Sequence, residues 1–139
     1  DTYVIDRTLY VETDTDVWTD LELRVSGTVG DLDSAFTRDT GVLSVAGLYG
    51  DDFDVRAVDG SRTMLMGRTD RLAIDAFDAA RVDAIDLRAS FVTVDVQDAA
   101  RVDLCATRVV SGLVGDCADV AVHCSPDAVD IASDVDVVR

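Results

Sequence analysis

A thiol, an imidazole and a second thiol stand at Cys105, His123 and Cys124, among 28 carboxylates in a chain with 12 basic residues and one histidine. Thiolate and imidazole together bind Zn²⁺ or copper. If the chain stacks in coils of 18 to 20 residues, Cys105 and His123 fall in one outward column about 5 Å apart. Alternation then turns Cys124 inward. Two outward ligands fall short of the four that structural zinc takes, so no metal site is predicted. A Cys105–Cys124 disulfide is a second reading, and cysteines that merely pack are the third and most ordinary one. Cys117 brings the cysteines to three, an odd number that makes no disulfide scaffold. It stands among alanines and is expected to be buried as one of them.

The carboxylates suggest little catalysis. An Asp ladder such as Asp83 with Asp103 would attract Ca²⁺ between coils, but the Gly-rich nonapeptide of calcium-binding rolls is absent. A solvated face is the expectation. Acid–base pairs arise by chance among so many carboxylates, and His123 has no Ser or Asp pattern suggesting a triad. No Gly-rich stretch opens a helix in the manner of a phosphate loop. The sequence therefore predicts no catalytic residue, no cofactor and no enzyme.

The elements that would position these groups are set by a repeat. Asp-Ala-Ala-Arg-Val-Asp occurs at 78–83 and again at 98–103, 20 residues later. That period is too long for a heptad and right for one turn of a β-solenoid. Taking 72–91, 92–109, 110–128 and 129–139 as coils, one column reads Val82, Val102, Val120, Val135. Two residues on, another reads Ala84, Leu104, Val122, Val137, with Asp83, Asp103, Ala121 and Asp136 between. This is period-2 alternation, apolar in and polar out. A small-residue column, Ala79, Ala99, Cys117 and Ala132, flanked by Ala80, Ala100, Ala118 and Ser133, predicts a tight corner. Arg81, Arg101, Asp119 and Asp134 share a further column, which predicts an outward inter-coil ion pair between Arg101 and Asp119. Such a pair is worth about 0.2–1 kcal/mol and sets register.

A helical reading of 73–89 would align Ile74, Phe77, Ala80, Ala84 and Leu87. The second copy opposes it, because Val92-Thr93-Val94-Asp95-Val96 is β-branched and strand-like. Residues 1–71 repeat less clearly. Leu21-Glu22-Leu23-Arg24-Val25, Val42-Leu43-Ser44-Val45, Phe53-Asp54-Val55 and Met64-Leu65-Met66 read as short strands between glycines. The prediction is an all-β, parallel β-helix in a single domain over 1–139, with about seven coils of 18–20 residues.

Composition narrows the partners. All 12 basic residues are Arg, and 26 of the 28 acids are Asp, for a net charge of −16. Such a charge repels phosphate backbones and anionic membranes, so no nucleic-acid partner is expected. No apolar run approaches the roughly 18 residues that cross a bilayer, so no membrane insertion is expected. The Lys-free acidic bias matches that of proteins from salt-loving archaea, where molar salt shortens the Debye length to about 3 Å. The chain begins at Asp1 instead of Met, so an upstream segment is expected and export is untested by these residues.

Residues 72–139 resemble the head GIN domain, an auto-transporter adhesin family of bacterial and archaeal surfaces. The cadence runs Leu72-Ala73-Ile74-Asp75, Asp78-Ala79-Ala80-Arg81-Val82-Asp83-Ala84, Asp86-Leu87-Arg88-Ala89, and then through the second copy to Leu104. The family's corners are written with Ser-Gly; Asp78, Asp98 and Asp116 stand there here. The resemblance implies a right-handed, three-sided solenoid, without catalytic residues. A fainter likeness, around Ser26-Gly27-Thr28-Val29-Gly30-Asp31-Leu32, is to the bactofilin polymers.

Two functions follow. One is a structural subunit of a cell surface, filament or virion from a halophile, its partner itself or another surface protein. Its strand-like end, Val135-Asp136-Val137-Val138, makes Val135 and Val137 the assembly edge. The alternative is an adhesin-like module that binds glycan or protein. Stacking rings would serve it, and Tyr3, Tyr10, Trp18 and Tyr49 gather toward the N-terminus; their ordinary role would be to close the first coils. Both imply an extracellular or cell-surface location.

Overall fold

The computed structural model describes residues 2–5, 8–12, 31–115 and 117–133, and the chain divides into two compact units, 1–30 and 31–139. In the first unit, β1 (Thr2–Ile5) and β2 (Thr8–Val11) pair antiparallel, with Tyr3 opposite Tyr10. Their rings stack with centroids 5.1 Å apart, a cross-strand contact that supports the pair, and the Tyr3 hydroxyl donates to Glu12 Oε2 at 2.9 Å. This differs from the expectation of coils running through residues 1–71. Two residues separate β1 from β2, a link that only antiparallel strands can use, whereas parallel neighbours need a dozen or more.

The second unit is a parallel β-solenoid of about five turns. Its strands are β3 (Ser34–Thr37), β4 (Val42–Ala57), β5 (Arg62–Ala76), β6 (Arg81–Val96), β7 (Arg101–Val114), β8 (Asp119–Val122) and β9 (Ala128–Ser133). Each pairs in parallel with the next from β3 to β8, and β9 returns to pair with β7. The step from coil to coil ranges from 17 residues (Arg88 to Cys105) to 20 (Val42 to Arg62). The turn count is below seven because the solenoid unit begins at residue 31.

Within a coil, alternation sends one side chain in and the next out. In β6 the buried residues are Val82, Ala84, Leu87, Ala89, Val92, Val94 and Val96. The alternation breaks at Ile85–Asp86 and at Ser90–Phe91, so three straight legs meet at corners. Register shifts in the β5/β6 and β6/β7 pairings mark the first of these breaks. The helical reading of 73–89 is thereby replaced by strand, corner and strand. Val82, Val102 and Val120 stand in register and buried, as do Ala84 and Leu104, with Val122 half-buried beside them. Val135, Asp136 and Val137 lie outside the described residues.

The third corner carries the small residues. Phe77-Asp78-Ala79-Ala80 closes through the Ala80 N–H to the Phe77 carbonyl at 3.1 Å, and Gln97-Asp98-Ala99-Ala100 repeats the bond at 3.1 Å. Both central residues are left-handed, Asp78 and Ala79 at φ 55° and 63°, Asp98 and Ala99 at 55° and 60°. That is the backbone of a type I′ turn. The ladder continues through it, since Arg81, Arg101 and Asp119 donate to the carbonyls of Ser61, Ala80 and Ala100 at 2.9, 2.9 and 3.0 Å.

The corner is tight, but not where the sequence placed the crowding. Ala79 and Ala99 face solvent, and the residues packed inside are Ala80, Ala100 and Ala118. Cys117 sits at φ 61° and is exposed rather than buried, because its position is the left-handed one equivalent to Ala99. Ala132 leaves this column altogether. It pairs with Leu113 and Ser133 with Val114, in the middle of the last leg. The preceding segment, 123–127, forms no strand and contains Pro126, which has no N–H for the ladder, so coil length there departs from the repeat.

An Ala in the left-handed region costs about 1–2 kcal/mol, partly offset by the chain entropy that glycine loses on folding. Ala99→Gly is therefore expected to stabilise the fold by about 0.5–1 kcal/mol, read as a higher urea midpoint with an unchanged slope.

Candidate functional site

The groups singled out for chemistry lie on the outer surface of the stack and at one cross-link. Cys105 and Cys124 form a disulfide, with Cα atoms 4.8 Å apart. This corrects both the packing reading and the outward Cys105–His123 pair. Cys105 is buried, because the bend of β7 packs Leu104, Cys105 and Ala106 inward in succession. Adjacent coils bring the two backbones to one strand spacing, inside the range a disulfide bridges.

His123 turns the other way. Its Nε2 donates to Asp103 Oδ1 at 2.8 Å, and its N–H bonds the Leu104 carbonyl at 2.9 Å. Arg101 Nε donates to Asp103 Oδ2 at 3.1 Å, and Arg101 Nη1 lies 3.7 Å from Asp119 Oδ2. Asp103 thus holds a cation on each oxygen. Partial burial pushes its carboxyl up, but the hydrogen bonds from His123 and Arg101 outweigh this and hold it below the usual carboxylate range. Asp134, placed in this column by the repeat, lies outside the described residues.

A lowered native pKa makes Asp103 a source of stability above the unfolded value of about 3.9, lost as pH falls through the native value. Part of the acid destabilisation between pH 5 and pH 2, ranges set by the carboxylate values, should therefore vanish in Asp103→Asn. Urea midpoints of both proteins across that range check it.

The long legs form a flat face with two shallow clefts. One, of about 420 Å³, is lined by Phe36, Arg56 and Asp75 among others. The other, of about 220 Å³, is lined by Asp52, Arg71 and Phe91 among others. Asp52 and Arg71 are ion-paired across adjacent coils, with Arg71 Nη2 donating to Asp52 Oδ2 at 2.7 Å. Burial and the neighbouring Asp95, one coil on, raise the Asp75 carboxyl above its ordinary value. Arg56 lies over the Phe77 ring and Arg108 over Phe91, at 5.8 and 5.3 Å. These rings hold cations by cation–π attraction. Sequence reasoning missed the Asp52–Arg71 pair, since it falls before the clear repeats.

Among the described residues, no three His, Cys, Asp or Glu side chains converge as metal ligands. Asp83 and Asp103 do stand side by side in register. Asp103, however, turns its two oxygens to Arg101 and His123. Trp18 lies outside the described residues, whereas Tyr49 is on β4 and 89% exposed, so it closes no coil. No helix among the described residues is long and apolar enough to cross a membrane.

No curated protein and no solved structure matches the chain. A family model does match, over residues 19–126, and its description is "Putative auto-transporter adhesin, head GIN domain". That span takes in most of the solenoid, including the corner turns, the Arg101–Asp103–His123 ladder and the first cysteine of the cross-link. The chain belongs to the head GIN domain family.

Proposed function

We propose that this domain is a non-catalytic, adhesin-like module displayed at the cell surface, where the outer faces of the solenoid contact other macromolecules. The Cys105–Cys124 disulfide carries the reading. Disulfides persist in oxidising compartments outside the cytosol, and this one ties the final coil to the stack. The family description points the same way. The acidic, Lys-free surface suits a medium of high salt, in which its self-repulsion is screened. Antibody raised against the folded domain is expected to stain intact cells of the source organism. Staining that requires permeabilisation would contradict surface display.

A second role is structural. The parallel register runs from β7 to β9 up to Ser133, so the stack grows toward the segment that holds Val135 and Val137. Assembly through that end would make copies of the chain, or another surface protein, its partner. Light scattering across protein concentrations should show growing particles that Val135→Lys with Val137→Lys reduces to monomer. A monomer at every concentration in the unmodified protein removes this role.

A further inference from the structure

Although the chain has 28 acidic residues, four arginines on adjacent strands have no carboxylate partner. Arg62 and Arg68 on β5, and Arg81 and Arg88 on β6, make no ion pair among the described residues, whereas Arg71 and Arg101 sit on carboxylates and Arg56 and Arg108 on rings. Register sets Arg62 beside Arg81 and Arg68 beside Arg88, and it sets Tyr49 of β4 beside Arg68. Tyr49, Arg68 and Arg88 therefore form a straight row along the stack, about one strand spacing (4.8 Å) apart. All three are exposed, Tyr49 at 89%. Like charges directly opposite on neighbouring strands repel, so the two arginine pairs are unfavourable by themselves and gain from an external anion.

We propose that the Tyr49–Arg68–Arg88 row binds a saccharide chain that carries carboxylates, of the uronate class. Each guanidinium presents a planar fork that matches a carboxylate with two parallel hydrogen bonds. The Tyr49 ring offers a flat apolar face on which a sugar ring stacks. Both halves of the row are then used by one ligand. A neutral sugar leaves the arginines unpaired. A dense polyanion such as nucleic acid is repelled by the net charge of −16, and so is a second copy of this chain. An acidic peptide would use the arginines but has no flat ring for Tyr49. Sparse carboxylates on a rigid, ring-built chain fit both the local positive row and the negative surroundings.

This deepens the surface-module reading by naming a ligand class, and it rests on that reading only for where the ligand is met. Binding in solution is independent of cellular location, so failure here and failure of cell staining are distinguishable. The test is calorimetric titration of the full chain at low ionic strength with oligomers of galacturonate, mannuronate and glucuronate. The controls are their carboxyl-reduced counterparts and poly-aspartate. At least one uronate should bind, its reduced form should not, and added salt should weaken the complex. Arg68→Ala with Arg88→Ala, and separately Tyr49→Ala, should each lower affinity by about tenfold or more, with the thermal midpoint unchanged. No binding of any uronate, equal binding of a reduced oligomer or of poly-aspartate, or affinity untouched by these variants would overturn the proposal.

Discussion

Gly112→Ala is expected to destabilise the solenoid by about 3–5 kcal/mol, from a strained backbone together with a clash. Gly112 sits on β7 at φ 138°, and a Cβ there would lie 1.9 Å from the Val94 carbonyl oxygen of the preceding coil. The obstruction is backbone in the parallel ladder, so no side chain can swing aside. Gly67 repeats the arrangement one side away, at φ 140° with the Leu48 oxygen 2.2 Å from the same imagined atom. Gly50→Ala is the control, since its Cβ would meet nothing within 4 Å. A urea midpoint for Gly112→Ala equal to that of Gly50→Ala would mean that the coils are not stacked in this register.

The second large effect concerns the cross-link. Replacing Cys105 and Cys124 together by Ala is expected to cost about 3 kcal/mol, through release of a loop that spans 19 residues. The loss should be local at first. Amides of β8 and β9 should lose hydrogen-exchange protection while those of β5 and β6 keep it, because β8 pairs only through four residues of β7 whereas β5 and β6 pair along their length. Uniform loss of protection would mean instead that the solenoid opens as one unit.

Much of this was legible from the repeated hexapeptide. Two copies in one register predicted the columns Val82–Val102–Val120 and Arg81–Arg101–Asp119, and both are columns of the ladder. The same signal ran one coil further back than it was followed. Asp59-Gly60-Ser61-Arg62 keeps the corner Asp and the Arg three residues later, and Arg62 indeed pairs with Arg81. Reading Asp-x-x-Arg instead of the full hexapeptide would have found the arginine rows.

The rest was hidden for physical reasons. Coil length varies because the short second leg tolerates insertions, as at Ile85–Asp86, so alignment from the third copy onward drifted and misplaced Ala132. Burial of Cys105 breaks the alternation at a bend of β7, and period-2 reasoning cannot see a bend. The left-handed conformation at Ala79, Ala99 and Cys117 was masked because Gly, its usual marker, is absent there. Residues 2–11 were drawn into the solenoid by their β-branched pattern, which antiparallel and parallel strands share.

The measurement that tests the account most directly is a disulfide map of the protein taken from its own cells, alkylated before any reduction. Trypsin separates Cys105, in 102–108, from Cys117 and Cys124, in 109–139. A stacked solenoid outside the cytosol predicts these two peptides joined through Cys105 and Cys124, with Cys117 alkylated. Three alkylated thiols, or a bond from Cys105 to Cys117, would contradict both the coil register and the proposed surface location.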